Sequence, residues 1–130
     1  MRFFKFFQLL YIIMKRNFSQ NAGVKMNFKI TADNKDETCM IAIAGSLDSG
    51  TCAAAEQKIE STLAKNDGKT EKIILDLKNL RYISSLGLRI LFKLAKEYPS
   101  RVDIINTPSD IMDVFKMTGI DKTMNVSKAD

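Results

Sequence analysis

Histidine and tryptophan are absent from the 130 residues, and cysteine and proline occur only twice each. Without an imidazole there is no histidine to ligate zinc, to act as a general base near neutrality or to activate a serine or cysteine nucleophile, so most hydrolase chemistry is excluded. Two cysteines do not make a disulfide framework. Neither Cys39 nor Cys52 sits in a C-x-x-C pair or among cations that would produce a reactive thiolate. Cys39 falls in an apolar strand pattern and Cys52 in an Ala-rich helical one, where a free thiol packs as a small hydrophobe. No G-x-x-x-x-G-K-[ST] loop occurs, no metal-ligand spacing is present, and Asp48 and Asp76 form no evident acid–base pair. Nothing here calls for a cofactor or for catalysis by this chain.

What is present is the composition of one globular domain, 45% apolar and 27% charged. The net charge of +5 is placed unevenly. Arg2, Lys5, Lys15, Arg16 and Lys25 lie in residues 1–25 with no Asp or Glu among them, and from Met26 onward basic and acidic residues balance. The domain therefore lacks the basic face on which phosphate-backbone binding rests, and no nucleic-acid partner is expected.

Residues 1–25 form a basic, apolar extension to a domain spanning residues 26–130. The apolar stretch from Phe3 to Met14, interrupted by Lys5 and Gln8, is shorter than the about 20 residues a bilayer crossing requires. It is followed by Lys15-Arg16-Asn17, and Gln20 stands where the A-x-A pattern before Ala22 would want Ala, so a cleaved secretory signal is not expected. Phe3, Phe7, Leu10, Tyr11 and Met14 can share one helical face, the layout of a helix lying on a membrane surface, and membrane attachment is expected only through this segment. The favoured expectation is that translation begins at Met26. Ala22-Gly23-Val24 permits codons containing AGGAG, a bacterial ribosome-binding signal, a short distance upstream.

Along the domain, Phe28 and Ile30 alternate with polar residues up to a turn at Asp33–Asp36, and residues 38–44 read as a strand buried on both faces, ended by Gly45. Ser46–Thr51 reads as a loop, and Ser49 or Thr51 can cap a helix carrying Ala54, Ala55, Ile59, Thr62 and Leu63 up to Asn66-Asp67-Gly68. Residues 71–77 predict a central strand, also buried on both faces, and 78–85 a loop. Leu88, Leu91, Phe92, Leu94 and Ala95 predict a second helix stopped by Pro99. Val102, Ile104 and Ile105 predict a strand; Pro108 then opens a third helix with Ile111, Met112, Val114 and Phe115 as its apolar stripe, ended by Gly119. A short final strand is expected at 123–127. This β-β-α-β-α-β-α order describes a single α/β domain with a mixed open sheet of four to five strands and three to four helices, its later strands parallel. Partners of such sheets bind at the carboxyl ends of the strands, here the loops 45–51 and 78–87.

Residues 76–91, D-L-K-N-L-R-Y-I-S-S-L-G-L-R-I-L, together with Gly45-Ser46-Leu47-Asp48, Asn106-Thr107-Pro108-Ser109 and Met117-Thr118-Gly119-Ile120-Asp121, resemble the STAS domain family, in particular bacterial anti-sigma factor antagonists. These elements cover Met26 to Val126 in order, and residues 1–25 lie outside the pattern. The resemblance implies a cytoplasmic regulator that binds an anti-sigma factor serine kinase, makes it release its sigma factor, and is inactivated by phosphorylation. The kinase would supply ATP and Mg²⁺, and a PP2C-type phosphatase would reset the switch. The matching phosphoacceptor is Ser85, with Ser84 as its rival, and the implied partner surface comprises Asp48, Ser49, Gly50, Thr51, Ser84, Ser85, Leu86, Gly87, Leu88 and Arg89. Two residues depart from the pattern: Ser84 stands where several members have Asp, and Leu86 where the family has a small residue. A second role open to the family is that of a regulatory subunit beside a membrane transporter of lipids or anions. The alternative local reading makes Ser84 or Ser85 an ordinary helix cap, Asp48 a turn former and Arg89 a solvated helix residue.

Overall fold

The computed structural model describes residues 28–129, so the expectations for the N-terminal extension lie outside the described residues. Strands β1 (Lys29–Lys35) and β2 (Thr38–Leu47) form an antiparallel hairpin in which Lys35 pairs with Thr38. The strand thus runs through the expected turn at 33–36, and the reversal falls on Asp36-Glu37. Asp36 takes φ 56°, a left-handed conformation that a short polar side chain tolerates. Asn34 faces the helical layer, where its Nδ2 donates to the Thr62 carbonyl at 2.6 Å.

Helix α1 (Cys52–Lys65) carries the chain from β2 to β3 (Lys72–Asp76), which pairs parallel with β2 from Thr38 to Ala42. Ala55, Ile59, Thr62 and Leu63 are its buried face, whereas Ala54, expected on that stripe, is exposed. Beyond β3 the stretch expected as loop contains a fourth strand, β4 (Leu80–Ile83). Its apolar residues Leu80 and Ile83 are three apart rather than two, so no alternation marks it in the sequence. Its strand character comes from distant pairing: β2 bends at a bulge between Gly45 and Ser46 and runs on to pair parallel with β4 through Ser46 and Tyr82, Leu47 and Ile83. Gly45, at φ 86°, turns the strand toward this second partner instead of ending it.

Helix α2 (Ser85–Glu97), strand β5 (Val102–Thr107), helix α3 (Ser109–Thr118), the single turn α4 (Ile120–Thr123) and strand β6 (Asn125–Lys128) complete the order. Gly119 caps α3 at φ 81° and starts α4, which moves the final strand about two residues later than expected. Among the described residues the sheet has six strands, β1-β2-β3-β5-β6 with β4 beside β2, and four helices.

Burial alternates along β2, β3 and the first half of β5. Cys39, Ile41, Ile43 and Leu47 of β2, Ile73 and Leu75 of β3, and Val102 and Ile104 of β5 face one way and join the buried residues of the helices in one core around Phe115. On the opposite face Met40 and Ala42 are exposed and Ile74 and Ile105 only half-buried. The expectation that residues 38–44 and 71–77 are buried on both faces is therefore corrected: the helices cover one face only. Both cysteines are free, Cys39 fully buried and Cys52 half-buried. Burial, and secondarily Asp33, pushes the Cys39 thiol up from its ordinary value, the behaviour of a packing residue.

Candidate functional site

The two segments singled out by the sequence meet because β2 and β4 run parallel and in register at their ends. Leu47 pairs with Ile83, so the residues that follow, Asp48 and Ser84, leave the sheet side by side. Ser84 is fixed there by its backbone N–H donating to the Leu47 carbonyl at 2.8 Å.

Ser84 is the N-cap of α2. It has extended backbone, its Oγ accepts from the Gly87 N–H at 3.3 Å, and its carbonyl accepts from the Leu88 N–H at 3.0 Å. Its side chain also lies close enough to the Cys52 thiol to influence its ionisation. Burial raises that thiol above its ordinary value, the neighbouring Ser84 opposes this, and Asp48 and Glu56 add to the rise. Cys52 is thus a protonated neighbour of the site. Sequence reasoning assigned it only to packing; no local signal links residues 32 positions apart.

Ser85 is the first residue of α2, half-buried, and its hydroxyl makes no hydrogen bond with the described residues. The two serines therefore differ in kind: the Ser84 hydroxyl holds the helix start, whereas that of Ser85 has no such structural bond among the described residues. With the Gly87 and Leu88 N–H groups taken, those of Ser85 and Leu86 remain at the positive end of the helix dipole, the arrangement that accommodates a phosphate. Arg89 is exposed and lies four residues on, on the same side of the helix as Ser85.

The loop preceding α1 is shaped by Asp48 and Thr51. The Gly50 N–H donates to Asp48 Oδ1 at 2.9 Å, and the Thr51 and Cys52 N–H groups donate to the Asp48 carbonyl at 3.2 and 2.9 Å. Thr51 occupies the N-cap of α1, but its hydroxyl turns back into the loop, donating to the Ser46 carbonyl at 2.7 Å and accepting from the Asp48 N–H at 2.9 Å. It braces the loop instead of capping the helix. Ser49 and Gly50 are exposed at the loop tip.

Leu86 is 41% exposed, an apolar side chain standing beside Ser85. Of the residues implied for the partner surface, Gly87 and Leu88 are buried. Leu88 belongs to the core. A Cβ on Gly87 would stand 2.8 Å from Ile83 Cγ1 and 3.0 Å from both Leu47 Cγ and the Leu47 carbonyl oxygen. Glycine lets the first turn of α2 sit directly on the ends of β2 and β4, which sets the height of Ser85 above the sheet.

The profile of the STAS domain family matches residues 29–129, and the chain belongs to that family. It is 30% identical over 94 residues to BtrV of Bordetella bronchiseptica, a protein designated an anti-sigma factor antagonist, the match covering 70% of this chain and 78% of that one. The fold is similar to the crystal structure of an anti-sigma factor antagonist from Mycobacterium paratuberculosis, with a TM-score of 0.67, 20% identity and coverage of 77% of this chain and 85% of that one. It is also similar to the anti-sigma factor antagonist SpoIIAA in its unphosphorylated form, with a TM-score of 0.63, 21% identity and coverage of 78% and 89%. The Bacillus cell fate determinant SpoIIAA in the phosphorylated form gives a TM-score of 0.58 at 21% identity over 78% and 92%.

Proposed function

We propose that this chain is an anti-sigma factor antagonist whose docking surface is the Asp48–Thr51 loop together with the start of α2, and whose activity is switched off by phosphorylation of Ser85. It binds a kinase-type anti-sigma factor and displaces the sigma factor held there. The kinase, carrying ATP and Mg²⁺, then transfers a phosphoryl group to Ser85 Oγ, and a phosphatase restores the hydroxyl. The chain is a regulatory substrate with no reaction of its own, and residues 26–130 are the functional unit.

One observation carries this reading: of the two adjacent serines, Ser84 is spent on capping α2, and Ser85 presents at the helix N-terminus beside the loop a hydroxyl with no hydrogen bond among the described residues. A phosphate there is received by the free N–H groups and by Arg89 without breaking an existing hydrogen bond. It adds about −1.5 to −2 charges at pH 7 to a surface the partner must desolvate, so docking fails while the fold remains. Leu86 and the exposed loop tip supply the remaining contact.

The test is binding of the anti-sigma factor kinase from the same organism to three forms of the chain. The unsubstituted protein and Ser85→Ala should bind with similar affinity and Ser85→Asp at least about tenfold more weakly, a difference of about 1.4 kcal/mol. Equal binding by Ala and Asp variants would remove the switch; absence of binding by all three, from chains that remain folded, would remove the antagonist role.

A further inference from the structure

Strand β1 is an outer edge of the sheet: among the described residues it pairs with β2 alone. Lys35 and Thr38 close the two-residue turn and exchange backbone bonds, so by alternation Thr31 and Asp33 also turn their backbone groups to β2, while Ile30, Ala32 and Asn34 turn theirs outward. The outward groups are a row of donors and acceptors to which another strand can pair.

On the face away from the helices the same strand shows Lys29, Thr31, Asp33 and Lys35, all exposed. Among the described residues neither Lys29 nor Asp33 joins an ion pair, whereas Lys72 meets Asp103 and Lys93 meets Glu56 and Glu60. Four residues apart, Lys29 and Asp33 stand roughly 13 Å from each other along the strand, too far to pair within one copy. A second copy lying antiparallel along the edge brings them together. With Thr31 opposite Thr31, Lys29 of each copy faces Asp33 of the other, and Ile30 and Ala32 exchange backbone bonds. The other registers fail. One centred on Ala32 sets Lys29 against Lys35 twice, one centred on Asp33 sets Asp33 against itself, and one centred on Ile30 matches no charges. A register centred on Asn34 runs at once into the turn at Asp36.

We infer that β1 is the docking edge for a second copy of this chain, the two sheets joining antiparallel with Thr31 opposite Thr31 and Lys29 of each copy paired with Asp33 of the other. The two-fold axis stands perpendicular to the sheet, so both helical layers lie on one side and the two β2 strands end at opposite ends of the joined sheet. The pair therefore presents two Asp48–Thr51 loops, each with its α2 start, pointing in opposite directions. The pairing makes no use of Ser85.

Sedimentation equilibrium of the full chain from micromolar to millimolar concentration tests this. A monomer–dimer equilibrium is expected. Lys29→Asp and Asp33→Lys each set like charges opposite one another twice, and each should weaken the dimer at least about tenfold. Combining the two substitutions restores opposite charges in this register alone and should bring the dissociation constant back to within about threefold of the unsubstituted value. Both positions are exposed, so circular dichroism should be unchanged in all three variants. A chain that stays monomeric throughout overturns the inference, as does association that ignores the single substitutions or that the double substitution fails to restore. Assemblies larger than a dimer place β1 on the β6 edge of the next copy and also overturn it.

Discussion

At the residue scale the site depends on unequal duties for neighbouring side chains. Replacing Ser84 with Ala removes the cap on α2 and should lower stability by about 1 kcal/mol in denaturant unfolding, while phosphate continues to be placed on Ser85. An alanine at Gly87 would stand 2.8 Å from Ile83 Cγ1, closer than real Cβ atoms come, and tight against the Leu47 carbonyl at 3.0 Å, so the helix start or its neighbours must shift. Gly87→Ala should destabilise by about 1–3 kcal/mol and weaken partner binding together. Asp48→Ala removes the acceptor for the Gly50 N–H and should loosen the loop more than the fold. Ser85, the proposed acceptor, was singled out in the sequence by resemblance to a family motif. The division of labour with Ser84, and the presence of Cys52, were not, because both depend on contacts that only the paired ends of β2 and β4 create.

At the element scale the helices were the clearest part of the sequence. Leu88, Leu91 and Leu94 on α2, and Ile111, Met112, Val114 and Phe115 on α3, repeat at helical spacing and are buried as that spacing requires. Strand β4 was hidden for the opposite reason: four residues with no alternation become a strand only when β2 passes its bulge and reaches them. The two-faced apolar pattern of β2 and β3 predicted burial on both sides, whereas the helices cover one side only. On that open face Lys72 Nζ lies 2.9 Å from Asp103 Oδ2, linking β3 to β5. The Lys72 hydrogen bond, with help from Asn125, holds the Asp103 carboxyl below its ordinary value of 3.8. A carboxylate so lowered contributes stability above the ordinary value and loses it as the pH falls below that value. Asp103→Asn should therefore narrow the stability difference between neutral and acid pH, by no more than about 1 kcal/mol because the pair is partly solvated.

At the scale of the whole molecule, the proposed switch is a change in surface chemistry on a constant fold. The loop is braced by Thr51, and α2 is tied to the sheet by Ser84 and Gly87, so a phosphate on Ser85 enters a site that is already arranged. Phosphorylated protein should keep its circular dichroism spectrum and its unfolding midpoint while losing the partner. The most direct measurement is peptide mapping of the full chain after incubation with the anti-sigma factor kinase of the same organism, ATP and Mg²⁺, with the Ser84→Ala and Ser85→Ala variants alongside. A single phosphate on Ser85, retained in Ser84→Ala and abolished in Ser85→Ala, is the predicted result; phosphate on Ser84, or none on either serine from an active kinase, would contradict the assignment.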